Sequence, residues 1–358
     1  MPRATALPPN PAVTSAKTVG LEYVSDTEPG LHRRKSGQSF RYVDRAGRPI
    51  TDDATLRRVR ALAIPPAYRD VWICPRENGH LQATGRDARG RKQYRYHARW
   101  SEARGLEKFS RVVAFGAALP KLRRRLRRDL ALPGFPQPKV AAIVVAVMAD
   151  TLVRIGNAGY ARENRSYGLT TLRNRHVAFL RDGRARFNFR GKSGIEHEVL
   201  LDDARLSKLL RHCQQLPGQY LFQYRDDDGC VQPVDSGLIN AYLREAMGEE
   251  FTAKDFRTWG GTLAAMRLLA EMPWDEGGAS QRSMASMRKS VEVEVAKQLG
   301  NTPAVVRKSY IDPRVYAAWE QGWLARASNG ARGPRQWETL ALRLLRRRAS
   351  PAAKGAPG

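Results

Sequence analysis

Tyr310 closes the stretch VEVEVAKQLGNTPAVVRKSYIDP (residues 291–313), with Arg307 and Lys308 in the turn before it. A phenol beside cations has two uses. It packs as a buried ring with a bonded hydroxyl, or its oxygen, drawn toward phenolate by positive charge, attacks an electrophile. The local pattern leaves both open. Val291, Val295 and Leu299 recur at helical spacing, and Gly300 stands where that helix stops. Thr302 is a cap and Pro303 a first-turn residue, so a second helix starts at once and carries Tyr310 before Pro313 ends it.

Three other cations stand where chemistry is available to them. Arg154 follows the apolar run Val140–Ala149, read as a buried helix that ends on this guanidinium just before Gly156. A charge leaving so apolar a segment needs an anionic partner, either an internal carboxylate or a substrate phosphate. Arg257 lies near the start of a helix that Thr252 or Lys254 opens and that contains DFRTWGGTLAAMRLLA. Lys192 belongs to Gly191-Lys192-Ser193-Gly194, a tight connection between two strand-like segments. At such a tip a lysine is either solvent-facing decoration or a mobile proton donor. Further back, GRDARGRKQYRYH (85–97) alternates basic residues with Tyr94 and Tyr96, so on a strand both tyrosines face one way. This is a solvated charged face or a surface that grips phosphates through Arg89, Arg91 and Lys92 and reads base edges through Gln93, Tyr94 and Tyr96.

The elements that must position these groups follow from length and patterning. The chain has 358 residues, enough for about two domains. Lys and Arg number 62 against 35 Asp and Glu, a net charge of +27 with a pI near 10.7, which favours a polyanionic partner. That partner is nucleic acid or an anionic membrane, and no segment approaches the ~20 apolar residues that span a bilayer. No signal or transit pattern precedes the first element, and a cytoplasmic, nucleoid-associated protein is expected. The three cysteines and six histidines show no metal-ligand spacing, and no GxxxxGK[ST] phosphate loop is present. No metal, nucleotide or other cofactor is therefore expected. Residues 1–18, rich in Pro, Ala and Thr, and the tail 346–358 read as disordered, and 273–287 as a connector.

RIGNAGYARENRSYGLTTL (154–172), FRGKSG (189–194), KDFRTWG (254–260) and LGNTPAVVRKSY (299–310) together resemble type IB DNA topoisomerases, most closely the small poxvirus and bacterial members. GHLQATGRDARGRKQYRYH (79–97) resembles their N-terminal DNA-binding domain, and the likeness covers roughly residues 20–325. It implies an α+β protein. A small α+β DNA-binding domain (19–103) would precede a larger, mainly helical catalytic domain (104–345) with a β-hairpin or three-stranded sheet, the fold shared with tyrosine recombinases. It also implies a monomer that clamps double-stranded DNA, with no role for a membrane.

Carried residue by residue, the resemblance makes Tyr310 the nucleophile that forms a 3′-phosphotyrosyl link. Arg154 and Arg257 would hold the non-bridging oxygens, Lys192 would protonate the departing 5′-oxygen, and Asn301 would donate a hydrogen bond to the phosphate. Poxvirus and eukaryotic enzymes carry His where this chain has Asn301, whereas bacterial relatives resemble it. Asn donates the same bond but cannot trade protons near neutral pH. The alternative is a tyrosine recombinase or integrase using the same set. Such enzymes usually place His three residues before the second arginine, where this chain has Lys254. A non-catalytic DNA-packaging protein would account for the charge but not for the four spaced motifs.

Overall fold

The computed structural model describes residues 11–248, 251–272 and 280–347. It is a mixed helix-and-sheet structure whose chain divides into two compact units, Met1–Lys108 and Phe109–Gly358.

The first unit corrects one expectation. Pro11–Thr18 form helix α1, where composition pointed to disorder. Ala16 is fully buried in a cluster with Leu21 and Trp100. That long-range contact holds a segment with no periodicity of its own. The remainder of the expected N-terminal disorder, residues 1–10, lies outside the described residues.

Strands β1 (Leu31–Ser36), β2 (Ser39–Val43), β3 (Arg69–Ile73), β4 (Leu81–Arg86) and β5 (Lys92–Tyr96) form an antiparallel sheet in the order β2-β1-β3-β4-β5. Helix α2 (Asp53–Ala61) starts where the Asp52 carboxylate accepts from the Thr55 N–H. Its Val59 joins Leu31, Val71, Ile73 and Ala83 in a small core. The loop Asp87–Arg91 turns through Gly90 at φ 74° and delivers β5 to the sheet edge, so Arg89 and Arg91 sit on the turn rather than on the strand.

Helix α3 (Ala98–Leu130) begins in the first unit and continues into the second. In the second unit, α4 (Gln137–Thr151) lies at the centre of the core, with every residue from Val140 to Val145 buried, together with Val147 and Met148. A helix apolar on all sides is stable only when surrounded. It packs against α6 (Ala204–Gln214), α7 (Ser236–Met247), α8 (Ala253–Ala270) and the strand Glu196–Leu201. After the short α5 (Ala158–Asn164), strands β6 (Val177–Phe179), β7 (Ala185–Arg190) and β8 (Glu196–Leu201) form an antiparallel sheet in the order β6-β7-β8. Phe187 and Phe189 turn inward from β7, while Asn188 and Arg190 face out. The strands β9 (Gln223–Arg225) and β10 (Val231–Pro233) make a separate hairpin.

Helices α9 (Gln281–Leu299), α10 (Pro303–Ser309), α11 (Pro313–Glu320), α12 (Trp323–Ala327) and α13 (Pro334–Arg346) complete the unit. Residues 281–287 are helical because Ser280 caps α9 at its side chain, so the connector expected over 273–287 ends before it; 273–279 lie outside the described residues. Of the expected C-terminal disorder, 348–358 also lie outside them, and Arg346 ends α13. Pro313 opens α11 rather than closing α10. Among the described residues no helix is long and apolar enough to cross a membrane.

Candidate active site

Helix ends build this site. The stripe Val291, Val295, Leu299 buries one face of α9, and the helix stops at Gly300 in the left-handed conformation (φ 55°). The Gly300 N–H bonds the Lys297 carbonyl and the Asn301 N–H bonds that of Ala296, a Schellman closure. It leaves the Leu299 and Gly300 carbonyls pointing away from the helix and sets Asn301 just beyond them. The Thr302 hydroxyl then caps α10 by accepting from the Val305 N–H, with Pro303 in the first helical position.

Tyr310 is not inside α10 but caps its C-terminus, its N–H donating to the Val306 carbonyl at 2.8 Å. Thr262, fully buried on α8, holds the segment from behind. Its hydroxyl donates to the Tyr310 carbonyl at 3.1 Å and accepts from the Asp312 N–H at 3.2 Å. Gly261 leaves room for this approach: a methyl there would sit 3.0 Å from the Tyr310 carbonyl oxygen.

Arg154 does not emerge from α4 as the apolar run implied. The helix ends at Thr151, and Leu152 adopts a left-handed conformation (φ 54°) before Arg154. A leucine there costs roughly 1–2 kcal/mol. The turn frees the Leu152 carbonyl, which accepts from Arg257 Nη1. Arg257, 5% exposed, also donates through Nη2 to the Leu299 carbonyl at 2.6 Å and to Asn301 Oδ1 at 3.2 Å. Arg154 Nη2 donates to the same Asn301 oxygen and to the Gly300 carbonyl at 3.1 Å. The Arg257 guanidinium carbon stands 5.2 Å from the centre of the Tyr310 ring.

The Nη groups of both arginines thus donate to backbone carbonyls and one amide oxygen, while Arg257 Nε is buried with no partner among the described residues. Among the described residues the partners of Arg154 are neutral acceptors rather than a carboxylate. A carboxylate here would cancel the charge and repel an incoming phosphate. Carbonyls at helix ends stabilise the cations while leaving two net positive charges in the pocket.

The electrostatics follow. Burial, then the neighbouring Arg257 charge, pull Arg154 down to about 10, still protonated at neutral pH. Burial lowers Arg257 as well. Burial alone would push the Tyr310 phenol up, but the Arg257 charge and hydrogen bond, then Arg154 and the Asn301 side chain, outweigh it and hold the phenol below its ordinary range. Asn301 has its oxygen committed to two arginines, so its amide N–H is the group that faces the phenol oxygen. Tyr316, the other tyrosine nearby in sequence, is buried with its hydroxyl 3.5 Å from Glu292 Oε1, and burial pushes its phenol up.

Tyr310, Arg154, Arg257 and Asn301 therefore form one connected cluster. Lys192 lies exposed on the connection between β7 and β8 and makes no hydrogen bond or ion pair with the described residues. Ser193 (φ 66°) and Gly194 (φ 78°) follow it in left-handed conformations. Two contributors were missed from sequence: Thr262, whose type and place in TWGGT carry no distinguishing signal, and His197, which reads as an ordinary strand residue in IEHEV.

In the first unit, the rings of Tyr94 and Tyr96 lie parallel with centroids 6.0 Å apart, about half exposed, as the alternation on β5 required. The basic residues around them are unequal. Arg91 is paired with Asp87 at 2.7 Å and Lys92 with Asp26 at 2.5 Å, and Gln93 donates to Asp87 at 3.0 Å. The Arg89 guanidinium has no partner among the described residues.

Comparisons with known proteins bear on both units. The family described as eukaryotic DNA topoisomerase I, catalytic core, matches residues 97–320. The family described as bacterial DNA topoisomerase IB, N-terminal domain, matches residues 39–87. DNA topoisomerase 1B of Acanthamoeba polyphaga mimivirus is 34% identical over 288 residues, covering 79% of this chain and 85% of that protein. DNA topoisomerase I of monkeypox virus and DNA topoisomerase 1B of vaccinia virus (strain Western Reserve) are each 22% identical over 273 residues, covering 74% of this chain and 82% of theirs.

Proposed function

The chain belongs to the type IB DNA topoisomerases, and from that membership we propose how its residues divide the work of relaxing supercoiled DNA. The reaction is transient cleavage of one strand of the duplex through a 3′-phosphotyrosyl intermediate, rotation of the free end and religation, without ATP or metal.

Tyr310 is the nucleophile in this reading. The observation that carries it is the placement of its ring beside the buried Arg257, which with the partly buried Arg154 donates to backbone carbonyls and not to a carboxylate. A phosphodiester is already anionic, so attack by phenolate adds charge that fixed donors must meet. Arg154 and Arg257 meet it, since a guanidinium fork bonds two phosphate oxygens and remains charged. A phosphate oxygen takes over donors now held by the Asn301 carbonyl, and the Asn301 amide N–H turns to the phosphate. Tyr310 becomes esterified while the P–O5′ bond breaks, and Lys192 passes its proton to the leaving 5′-oxygen. Religation reverses each step, the link itself storing the energy of the broken bond.

The catalytic unit takes the fold shared with tyrosine recombinases, and the protein acts as a monomer on the duplex, in the cytoplasm at the nucleoid. Residues 19–103 serve as the DNA-binding domain, 104–345 as the catalytic domain. Stopping a reaction with plasmid by detergent, with EDTA present and nucleotide absent, is expected to trap protein on the 3′ end of a single nick. Attachment to a 5′ end, or a requirement for two specific sites, would refute this reading, the second in favour of a recombinase.

Lys192→Ala is expected to slow cleavage by ~10²–10⁴. Sulfur in place of the bridging 5′-oxygen at a mapped cleavage site separates proton donation from binding, because a thiolate leaves without a proton. On that substrate Lys192→Ala should match the unaltered protein, while Arg154→Ala, which loses a phosphate donor, should stay slow. Equal rescue of both, or of neither, would remove Lys192 from the role.

In the first unit, log affinity for DNA should fall linearly with log salt, by ~0.9 per phosphate neutralised. Replacing Arg89, Arg91 and Lys92 with glutamine is expected to make that slope shallower, with Arg89 contributing most because the other two already hold carboxylates. An unchanged slope would make this turn a solvated surface.

A further inference from the structure

The steps above leave His197 unused. It lies on β8 directly across from Phe189 on β7, the two rings stacked with centroids 5.0 Å apart and planes 7° from parallel. The imidazole fills space that two glycines leave open. A methyl on Gly191, the residue before Lys192, would lie 2.5 Å from the ring's Cδ2; one on Gly300 would lie 2.0 Å from Cε1. Gly191 has φ −97° and ψ −162°, a conformation any residue adopts, so the ring and not the backbone demands a glycine there. On the other side, Gly300 precedes Asn301 and its carbonyl receives Arg154. The ring therefore touches the base of the Lys192 connection and the base of the arginine–asparagine cluster at once.

Its polarity is a cost. Nε2 is buried with no partner, which an apolar side chain would avoid. Burial, then the charges of Arg154 and Arg257, lower its pKa and favour the neutral form. What the ring supplies is a flat, rigid thickness between two turns.

We propose that His197 is a positioning residue for strand cleavage: its ring spaces the Gly191–Lys192 turn from the Gly300–Asn301 turn and so sets where the Lys192 ammonium meets the leaving oxygen. The proposal rests on the reading of Lys192 as the proton donor. It differs from a purely structural role in what it predicts for chemistry. Removing a spacer misplaces the donor by part of a side-chain width, and a misplacement near 1 Å costs up to ~10²-fold in rate. Attack by Tyr310, held from α8 and α10, is left intact.

Single-turnover cleavage by His197→Ala, Gly191→Ala, the double variant and Lys192→Ala tests this on ordinary and 5′-sulfur substrates. His197→Ala and Gly191→Ala should each be slower by about 10–100-fold on the ordinary substrate and within about threefold of the unaltered protein on the sulfur one. In the His197→Ala background the Gly191 methyl has room, so adding it should change the rate by less than about twofold. Equal loss on both substrates, or no loss on either, would overturn the proposal. Should His197→Ala fail to fold, the same two-substrate comparison on Gly191→Ala decides it alone. Rescue of Lys192→Ala without rescue of the His197 and Gly191 variants would refute the positioning role only. Failure of sulfur to rescue Lys192→Ala would refute the proton-donor reading and this proposal with it.

Discussion

Tyr310→Phe is expected to abolish relaxation and the covalent adduct while leaving DNA affinity within about threefold and the fold intact. The phenyl ring keeps its place beside Arg257, because the segment is held through backbone groups: the Tyr310 carbonyl by Thr262 and its N–H by Val306. What is lost is one oxygen and its hydrogen bonds, about 1 kcal/mol of stability and a few degrees of Tm at most. Filter binding, thermal melting and detergent-trapped electrophoresis on one preparation separate these effects. Adduct surviving in Tyr310→Phe would overturn the assignment. Tyr316 is a poor substitute in that event, since its hydroxyl is buried against Glu292 and its phenol is pushed toward the protonated form.

Arg257→Ala should lose activity and stability together, and Arg257→Lys should part the two. The guanidinium serves the Leu152 carbonyl, the Leu299 carbonyl and Asn301 Oδ1 from one planar group. Alanine leaves the Leu152 and Leu299 carbonyls unpaired, at about 1–3 kcal/mol each, while Asn301 Oδ1 keeps Arg154; it also removes transition-state charge of the kind that costs about 10³–10⁵ in rate when an arginine is withdrawn from phosphoryl transfer. Lysine restores the charge without the fork. It should recover much of the melting temperature but leave cleavage at least about tenfold slow, because a point charge cannot hold three acceptors and a phosphate in fixed directions. Cleavage by Arg257→Lys at the unaltered rate would show that charge alone suffices.

How much of this could be read from the sequence depends on the range of the contact that decides each feature. The Leu299–Gly300 stop and the Thr302–Pro303 start are local signals and both hold, but the end of the short helix does not: it stops at Ser309, with Tyr310 as its cap, rather than at Pro313. The alternation over Gln93–Tyr96 is local too, and its tyrosines do face one way. The surroundings of Arg154 were not legible, because its partners come from residues 300 and 301, nearly half the chain away. Nor could the apolar run show that α4 would stop short at a left-handed Leu152, a conformation the side chain resists and the Arg257 bond supports. His197 escaped notice for the same reason. Its significance lies in two glycines, one on its own hairpin and one about a hundred residues later. The order at Pro11–Thr18 likewise depends on Trp100.

The Asn301 oxygen, held between two arginines, carries a consequence for how the protein meets other anions. In the mechanism proposed above, that neutral oxygen is a lodger in the place a phosphate oxygen would take. Entry is then an exchange rather than an addition: every arriving anion must first evict the lodger. Against a guanidinium a phosphate adds Coulomb attraction and a bidentate fit to what a neutral amide oxygen offers, so a phosphate can win, but by less than it would gain in an empty pocket. A lone inorganic ion has nothing else to hold it during the exchange. A duplex gripped at many other phosphates does, and its scissile group can wait at the threshold until the amide swings aside. The residue that differs from the poxvirus histidine thereby becomes a doorkeeper, discriminating by how firmly the rest of the visitor is held.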